Sequence, residues 1–123
     1  MAENDSSPKD SAAKPGTKPA VKSAIRSPAD CGDMAELRVE IDRLDGQIVA
    51  LLAARSGYVG RAAELKKTRA AIVDEARIQQ VIARARAAAM IHGADADVIE
   101  AIYRAMIDAF VAFEKRVFDR DKR

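Results

Sequence analysis

The chain has 123 residues, of which 21 are Lys or Arg and 19 are Asp or Glu, so its formal net charge is only +2. A length of this order fits one domain. The small positive excess argues against non-specific nucleic-acid binding, and an aromatic content of 4% without Trp leaves few rings for base stacking. One His and one Cys exclude a zinc-finger spacing and a disulfide framework. We therefore expect neither a nucleic-acid partner nor a metal site.

The N-terminal segment, residues 1–30, differs in composition from the rest of the chain. It contains every proline of the sequence, the last of them Pro28, among Ser, Lys, Ala and Gly, which predicts a disordered tail over residues 1–30. The segment lacks the apolar core of a signal peptide, and no stretch reaches the roughly 20 apolar residues of a membrane span. We therefore expect a cytoplasmic protein without a membrane partner. In that compartment Cys31, at the tail boundary, is expected to be a reduced and inert thiol.

The residues after Pro28 predict an all-α domain over residues 31–123, because they lack proline and are rich in strong helix formers. Asp33, followed three residues later by Glu36, resembles a capping box and predicts a first helix over residues 33–69. One face of this helix repeats at spacings of four and three residues. Its members are Leu37, Ile41, Leu44, Ile48, Leu51, Arg55, Tyr58, Ala62 and Leu65.

This first helix is long for the domain that contains it. At 1.5 Å per residue it extends for about 50 Å, whereas a compact domain of some 95 residues has a radius of gyration of about 13 Å. The protruding apolar stripe needs a partner, and a second copy of the chain in a two-fold dimer supplies one. The sequence therefore predicts an obligate homodimer.

Two further helices follow a short link over residues 70–73. Asp74 is suited to cap a second helix, which ends at His92-Gly93. Either Asp95 or Asp97 caps a third helix. The stripe of the third helix that we expect to face the core consists of Val98, Ile99, Ile102, Met106, Phe110, Phe113 and Val117.

Three cations lie at positions where a positive charge does not stabilise a helix or its core. Arg55 occupies a position where the repeat predicts an apolar side chain, and a buried charge there is costly without a partner anion. Lys66 lies three helical turns further along the same face. Arg77 lies in the first turn of the second helix, where positive charge is unfavourable. Together the three cations favour an anionic ligand. The alternative is that Arg55 and Lys66 extend to solvent, or pair across the dimer with Glu40, Asp42, Asp45 or Glu64.

The pattern of these residues resembles the all-helical chorismate mutase family. The segments that carry the resemblance are residues 37–45, residues 51–55, Lys66, and Asp74 with Arg77. They fix the order and spacing of four cations, with equal intervals from Arg55 to Lys66 and from Lys66 to Arg77, and a longer interval between Arg38 and Arg55. The resemblance covers about residues 33–118. It implies an intertwined homodimer of three-helix chains, in which each active site takes one Arg from the partner chain.

The resemblance also implies a role for each of these side chains. Arg38 from the partner chain and Arg55 from the same chain each bind a carboxylate of a dianionic small molecule. Lys66 reaches the ether oxygen and a carboxylate, and Arg77 with Asp74 closes the site. The implied reaction is the rearrangement of chorismate to prephenate in aromatic amino acid biosynthesis, which needs no nucleophile, metal or cofactor. It needs a pocket that holds the reactive conformer and stabilises negative charge on the breaking C–O bond.

Three positions of the candidate site depart from the common pattern of that family. Ile78 replaces a Glu that accepts from the substrate hydroxyl, and Phe110 stands where a small polar residue is common. Glu114 replaces a Gln that donates to the ether oxygen, so a catalytic role as donor requires its neutral acid. Burial beside Phe110 and Ile107 favours that form, whereas Lys66 opposes it.

Isochorismate pyruvate lyases, which are related to the same family, provide the second interpretation. They resemble this chain at residues 28–31, at Tyr58-Val59, in the spacing from Lys66 to Arg77 and in the aliphatic Ile78. They differ from it by a Gln at position 114 and by a Pro-rich loop in place of residues 73–75. We favour the mutase over the lyase. A non-catalytic helical dimerisation module is the third interpretation, because a fold does not guarantee an activity.

Overall fold

A computed structural model describes residues 26–122, and within this range it contains helices and no strand. The long helices are α1 (Met34–Leu65), α2 (Glu75–Ile91) and α3 (Ala96–Asp121), and two short 3-10 helices span Pro28–Asp30 and Arg69–Ile72. The prediction of an all-α chain with three helices and a long first helix is confirmed. Of the predicted disordered tail, residues 1–25 lie outside the described range. No helix within that range is long and apolar enough to cross a membrane.

The chain divides into two compact units, Met1–Ala53 and Ala54–Arg123, and α1 contributes residues to both. In the first unit, α1 begins with the predicted pair of capping side chains. The Glu36 N–H donates to Asp33 Oδ1 at 2.8 Å, and the Gly32 N–H donates to Glu36 Oε1 at 2.7 Å. The second bond goes to Gly32, one residue earlier than in a standard capping box. Both bonds satisfy backbone donors at the start of the helix.

The described part of the first unit, residues 26–53, buries none of its apolar side chains. The large apolar residues that are exposed in it are Met34, Val39, Ile41, Ile48, Val49 and Leu51. Its buried residue is Glu40, whose carboxylate oxygens lie 3.5 Å from Arg26 Nη2 and 3.5 Å from Arg43 Nε. The predicted apolar stripe is therefore present on α1 but is not covered by this unit's own described residues.

In the second unit α1 ends at Leu65 and not at residue 69, so this predicted boundary is wrong. The chain turns into the 3-10 helix Arg69–Ile72, and the turn brings Ile72, which is 4% exposed, against Ala63 and Phe118. Burial of such a side chain contributes about 2 kcal/mol. The helix propensities of ordinary residues differ by at most about 0.7 kcal/mol per residue. Burial of Ile72 thus outweighs the helix preference of any single residue in the link.

The predicted caps of α2 and α3 are present. Asp74 caps α2, and Asp95, one of the two predicted candidates, caps α3 by accepting from the N–H groups of Asp97 and Val98. Gly93 ends α2 with φ of +72°, a left-handed conformation that glycine adopts without strain. Two hydrogen bonds complete a Schellman turn: Ala94 N–H to Ala89 O at 2.8 Å, and Gly93 N–H to Met90 O at 3.3 Å.

This turn joins α2 and α3 into a packed pair of helices. The buried residues of α2 are Ile82, Ala85 and Ala89, which recur at helical spacing on one face. The buried face of α3 differs from the prediction, because Val98 and Ile102 are exposed and the buried residues are Ile107, Glu114 and Phe118. The predicted stripe contained only apolar residues. The observed buried face is rotated from this stripe and includes the Glu114 carboxylate, which is tolerated there because Lys66 meets it.

Candidate functional site

A groove of about 440 Å³ lies within the second unit, lined by the end of α1, the turn after it, α2 and α3. Seven of the eight predicted site residues line this groove: Arg55, Lys66, Asp74, Arg77, Ile78, Phe110 and Glu114. The eighth, Arg38, is exposed on α1 in the first unit. The fold thus brings together residues from distant parts of the sequence, from Arg55 on α1 to Glu114 on α3. Their roles toward a ligand stay predictions.

Arg55 reaches the groove from α1 and lies over an aromatic ring. Its guanidinium carbon is 4.8 Å from the centre of the Phe110 ring, and both side chains are half-buried. No acidic side chain among residues 26–122 forms an ion pair with Arg55. The charge that was unexpected in the apolar repeat is therefore accommodated by a cation–π contact and keeps its hydrogen-bond donors.

Lys66 and Glu114 form an ion pair on the groove wall. Lys66 Nζ lies 2.7 Å from Glu114 Oε2, with 29% of the Lys side chain and 9% of the Glu side chain exposed. Ile107 and Phe110, which also line the groove, lie two turns and one turn before Glu114 on α3. As a carboxylate, Glu114 accepts a charge-assisted hydrogen bond, which is among the stronger kinds in proteins. Within the described part of the chain, the partner of Lys66 is thus Glu114 on α3. Pairing across a dimer with acidic residues of α1 stays a prediction.

The start of α2 supplies the other charged edge of the groove. The Asp74 carboxylate accepts from the Arg77 N–H at 3.0 Å, which caps the helix and orients its first turn. Arg77 Nη1 donates to Gln80 Oε1 at 2.6 Å, and the Arg77 side chain is exposed at the rim. Ile78, the next residue, is half-buried on the wall. The Asp74 cap therefore positions both the Arg77 cation and the apolar Ile78 side chain at the groove.

Most of the remaining wall is apolar, and the sequence analysis did not assign it to the site. These residues are Tyr58, Val59, Ala62, Ile72, Val81, Ile107 and Val111. Helical spacing could have predicted several of these wall residues, because they lie one turn from predicted site residues. Val81 lies one turn after Arg77, and Ile107 and Val111 lie one turn before Phe110 and Glu114 respectively, each on the same helix.

The charges of the groove are unequal in number. It has three cations against two carboxylates, and both carboxylates are engaged, Glu114 by Lys66 and Asp74 by the Arg77 backbone. An Arg presents a planar fork of donors that matches a carboxylate, so the groove suits an anion that carries carboxylates. No three His, Cys, Asp or Glu side chains among the described residues are grouped closely enough to hold a metal ion.

The three long helices, and a groove with Arg and Lys side chains on largely apolar walls, agree with the arrangement that the resemblance implied. Residues 37–115 match the family model of chorismate mutase type II, and the chain belongs to this family of enzymes. It is also 32% identical over 88 residues to the isochorismate pyruvate lyase of Pseudomonas aeruginosa, across 72% of this chain and 87% of the relative. The resemblance stated from the sequence is confirmed. The family is named for a mutase and the relative for a lyase, so the matches establish the family and leave the two reactions to be distinguished.

Proposed function

We propose that this chain is a chorismate mutase, which rearranges chorismate to prephenate. The observation that carries the proposal is the convergence of Arg55, Lys66 and Arg77 on one groove with largely apolar walls. Chorismate is a dianion with two carboxylates, and the family that contains the chain is named for this reaction. The role in aromatic amino acid biosynthesis and the cytoplasmic location remain predictions from the sequence.

In the proposed reaction one C–O bond breaks and one C–C bond forms within the same molecule, so no atom leaves and no nucleophile is required. The protein contributes a shape that holds the reactive conformer, and charges placed where the ether oxygen becomes negative. Arg55 binds a substrate carboxylate through its free N–H donors. Lys66 donates to the ether oxygen, and Arg77 closes the site at the rim.

Glu114 has two roles in this proposal. As a carboxylate it holds Lys66, whose Nζ is 2.7 Å away, at the wall of the groove. As a neutral acid it can donate a second hydrogen bond to the ether oxygen, because only the protonated form carries an O–H. The ion pair with Lys66 therefore requires the carboxylate of Glu114, and the donor role requires its neutral acid.

We also propose that the working enzyme is a homodimer in which Arg38 reaches the groove of the partner. The support is the set of exposed apolar side chains on α1, which includes Ile48 at 53% and Leu51 at 57% exposure. Leaving several such residues in water forfeits about 1.5–3 kcal/mol for each side chain that could be fully buried. A second copy presents the same stripe, as a two-fold interface requires.

A second candidate function is the lyase reaction, in which isochorismate is split into salicylate and pyruvate. The observation that favours it is the 32% identity to the isochorismate pyruvate lyase of Pseudomonas aeruginosa over 87% of that protein. The aliphatic Ile78 on the groove wall is consistent with it. The same cations serve either reaction, because both break a C–O bond of a dianion.

The experiment that separates these functions gives purified protein each substrate in turn. Formation of prephenate from chorismate supports the mutase, and formation of salicylate and pyruvate from isochorismate supports the lyase. The larger kcat/KM identifies the main activity. If neither substrate is converted, the proposal is wrong and the non-catalytic dimerisation module becomes the better interpretation.

A pair of variants links any activity to the groove. Lys66→Ala removes the groove ammonium and is expected to lower kcat/KM at least about a hundredfold, the size of effect seen when one transition-state donor is removed. Lys67→Ala removes the neighbouring exposed Lys, which is not a groove residue, and serves as the matched control. Equal losses in the two variants would place the activity elsewhere.

A further inference from the structure

Arg55 has an unusual neighbour for a side chain expected to bind a carboxylate. Its guanidinium carbon lies 4.8 Å from the centre of the Phe110 ring, and both side chains line the groove. Within residues 26–122, no acidic side chain pairs with Arg55. The aromatic face is therefore the contact in this part of the chain that can orient the long Arg55 side chain.

Phe110 is itself supported by a second ring. The centres of Phe110 and Phe113 are 6.3 Å apart with an angle of 77° between the planes, an edge-to-face arrangement. A Phe side chain has only two torsions, so a ring packed against another ring is a rigid support. Phe113 lies under a different cation, Arg116, at 5.8 Å. The two neighbouring rings thus contact two different Arg side chains: Phe110 contacts Arg55, which lines the groove, and Phe113 contacts Arg116, which does not.

Contact with a ring and pairing with a carboxylate hold a cation in different ways. A carboxylate uses N–H donors and cancels the charge, whereas a ring contacts the guanidinium and leaves its donors and its full charge available. Lys66, 2.7 Å from Glu114, is an example of the first arrangement in the same groove. Arg55 is an example of the second, which suits a group that has to bind an incoming carboxylate.

We infer that Phe110 is a positioning residue, whose ring holds the Arg55 guanidinium in place for a substrate carboxylate. The inference rests on the proposed function and deepens it. Loss of the ring releases Arg55 to other rotamers, so dianion affinity should fall about three- to tenfold, the effect of one cation–π contact at a partly buried site. A carboxylate is bound in the substrate and in the transition state alike, so KM rises while kcat changes little.

A nuclear magnetic resonance measurement on the full chain tests the orientation without any activity. The ring current of Phe110 shifts the signals of the Arg55 side-chain N–H and CH₂ groups. Phe110→Leu should remove this shift, and Phe110→Tyr, which keeps the ring, should retain it. Absence of a ring-current shift in the wild-type protein would overturn the inference, whether or not the Leu variant folds.

Ligand affinity tests the functional consequence. We expect Phe110→Leu to raise KM for chorismate, and Kd for prephenate by calorimetry, about three- to tenfold. Phe110→Tyr should stay close to wild type. Phe113→Leu, the same substitution at the ring under Arg116, is the matched control and should have the smaller effect. Melting curves show that each variant is folded.

A double-mutant cycle shows whether Phe110 acts through Arg55. In an Arg55→Ala background, Phe110→Leu should cause no further loss of affinity. Independent losses that add, or wild-type affinity in Phe110→Leu, would overturn the inference. If wild type converts isochorismate and not chorismate, the mutase proposal fails and the cycle is run on KM for isochorismate. If it binds neither, the functional part fails with the proposed function, and the ring shift alone reports on the orientation.

Discussion

At the scale of single residues, the Lys66–Glu114 pair determines which donors the groove offers to a ligand. Lys66 Nζ and Glu114 Oε2 are 2.7 Å apart, and Glu114 is almost entirely buried. A carboxylate in this position accepts from Lys66 and donates nothing. The substitution Glu114→Gln replaces it with a group of the same shape that donates through its amide N–H at every pH.

We predict that Glu114→Gln keeps or exceeds wild-type activity, since its amide N–H adds a donor to the groove that the carboxylate lacks. The measurement is kcat/KM for the substrate that the protein converts. Glu64→Gln, at an exposed acid paired with Arg61 and not a groove residue, is the control. A loss of activity in Glu114→Gln beyond that of the control would show that the reaction needs the carboxylate that holds Lys66 and not a donor at this position.

At the scale of elements, the turn between α2 and α3 depends on Gly93, whose φ is +72°. An L side chain in this conformation is strained by about 1–2 kcal/mol. Gly93→Ala should therefore lower the free energy of unfolding by about 1 kcal/mol or more in urea titrations. Gly93→Asn should lower it less, because Asn visits the left-handed region more readily. Equal stability of wild type and Gly93→Ala would show that the turn adjusts at no cost.

The same two helices are joined by an ion-pair network around Glu100. Its carboxylate accepts from Arg104 Nε at 2.7 Å and from Arg86 Nη1 at 2.8 Å, and these hydrogen bonds hold the pKa of Glu100 below its usual value. A pKa that is lower in the folded than in the unfolded state stabilises the fold above the unfolded-state pKa. This stabilisation is lost as the pH falls through the folded-state pKa.

Glu100→Gln should therefore lower Tm at neutral pH, and the difference from wild type should disappear in acid, once the pH has fallen below the folded-state pKa of Glu100. The effect is small because the network is partly exposed to solvent. Thermal unfolding followed by circular dichroism at both pH values measures it. Asp108→Asn, at an exposed carboxylate further along α3, is the control. A Tm difference that persists unchanged in acid would indicate lost packing and not lost charge pairing.

At the scale of the whole molecule, we predict that the protein is an obligate homodimer. The exposed apolar stripe of α1 is stable in water only when it is covered, and a second copy covers it with the same residues. Sedimentation equilibrium should give about twice the chain mass, and unfolding should depend on protein concentration. A folded monomer that persists at micromolar concentration would contradict this.

Complementation between two inactive variants tests whether an active site is shared. Arg38→Ala and Arg55→Ala should each lower kcat/KM about a hundredfold or more, because each loses a charged hydrogen bond to a carboxylate. A heterodimer of the two variants has one site with both Arg side chains intact, so mixing them should restore up to about a quarter of the wild-type activity. No recovery, with subunit exchange demonstrated, would show that Arg38 does not act across the interface.

The sequence by itself determined the helical class and most helix boundaries, because these depend on local chemistry. Proline is absent after Pro28, side chains such as Asp74 and Asp95 cap helices within their own turn, and Gly93 tolerates a left-handed conformation. Spacing also pointed to the groove cations, since positively charged residues on an apolar face stand out in any helical repeat.

Only the tertiary structure decided how those side chains are paired. The end of α1 at Leu65 depends on where Ile72 finds a core, and the buried face of α3 depends on Glu114 meeting Lys66, which is distant in the sequence. The position of Arg55 over the Phe110 ring is likewise a contact between two helices that are far apart in the sequence. Helix propensities cannot predict such contacts, because the contacts exist only when the chain has folded. Each contact contributes about one kcal/mol or more, which exceeds the helix propensity of a single residue.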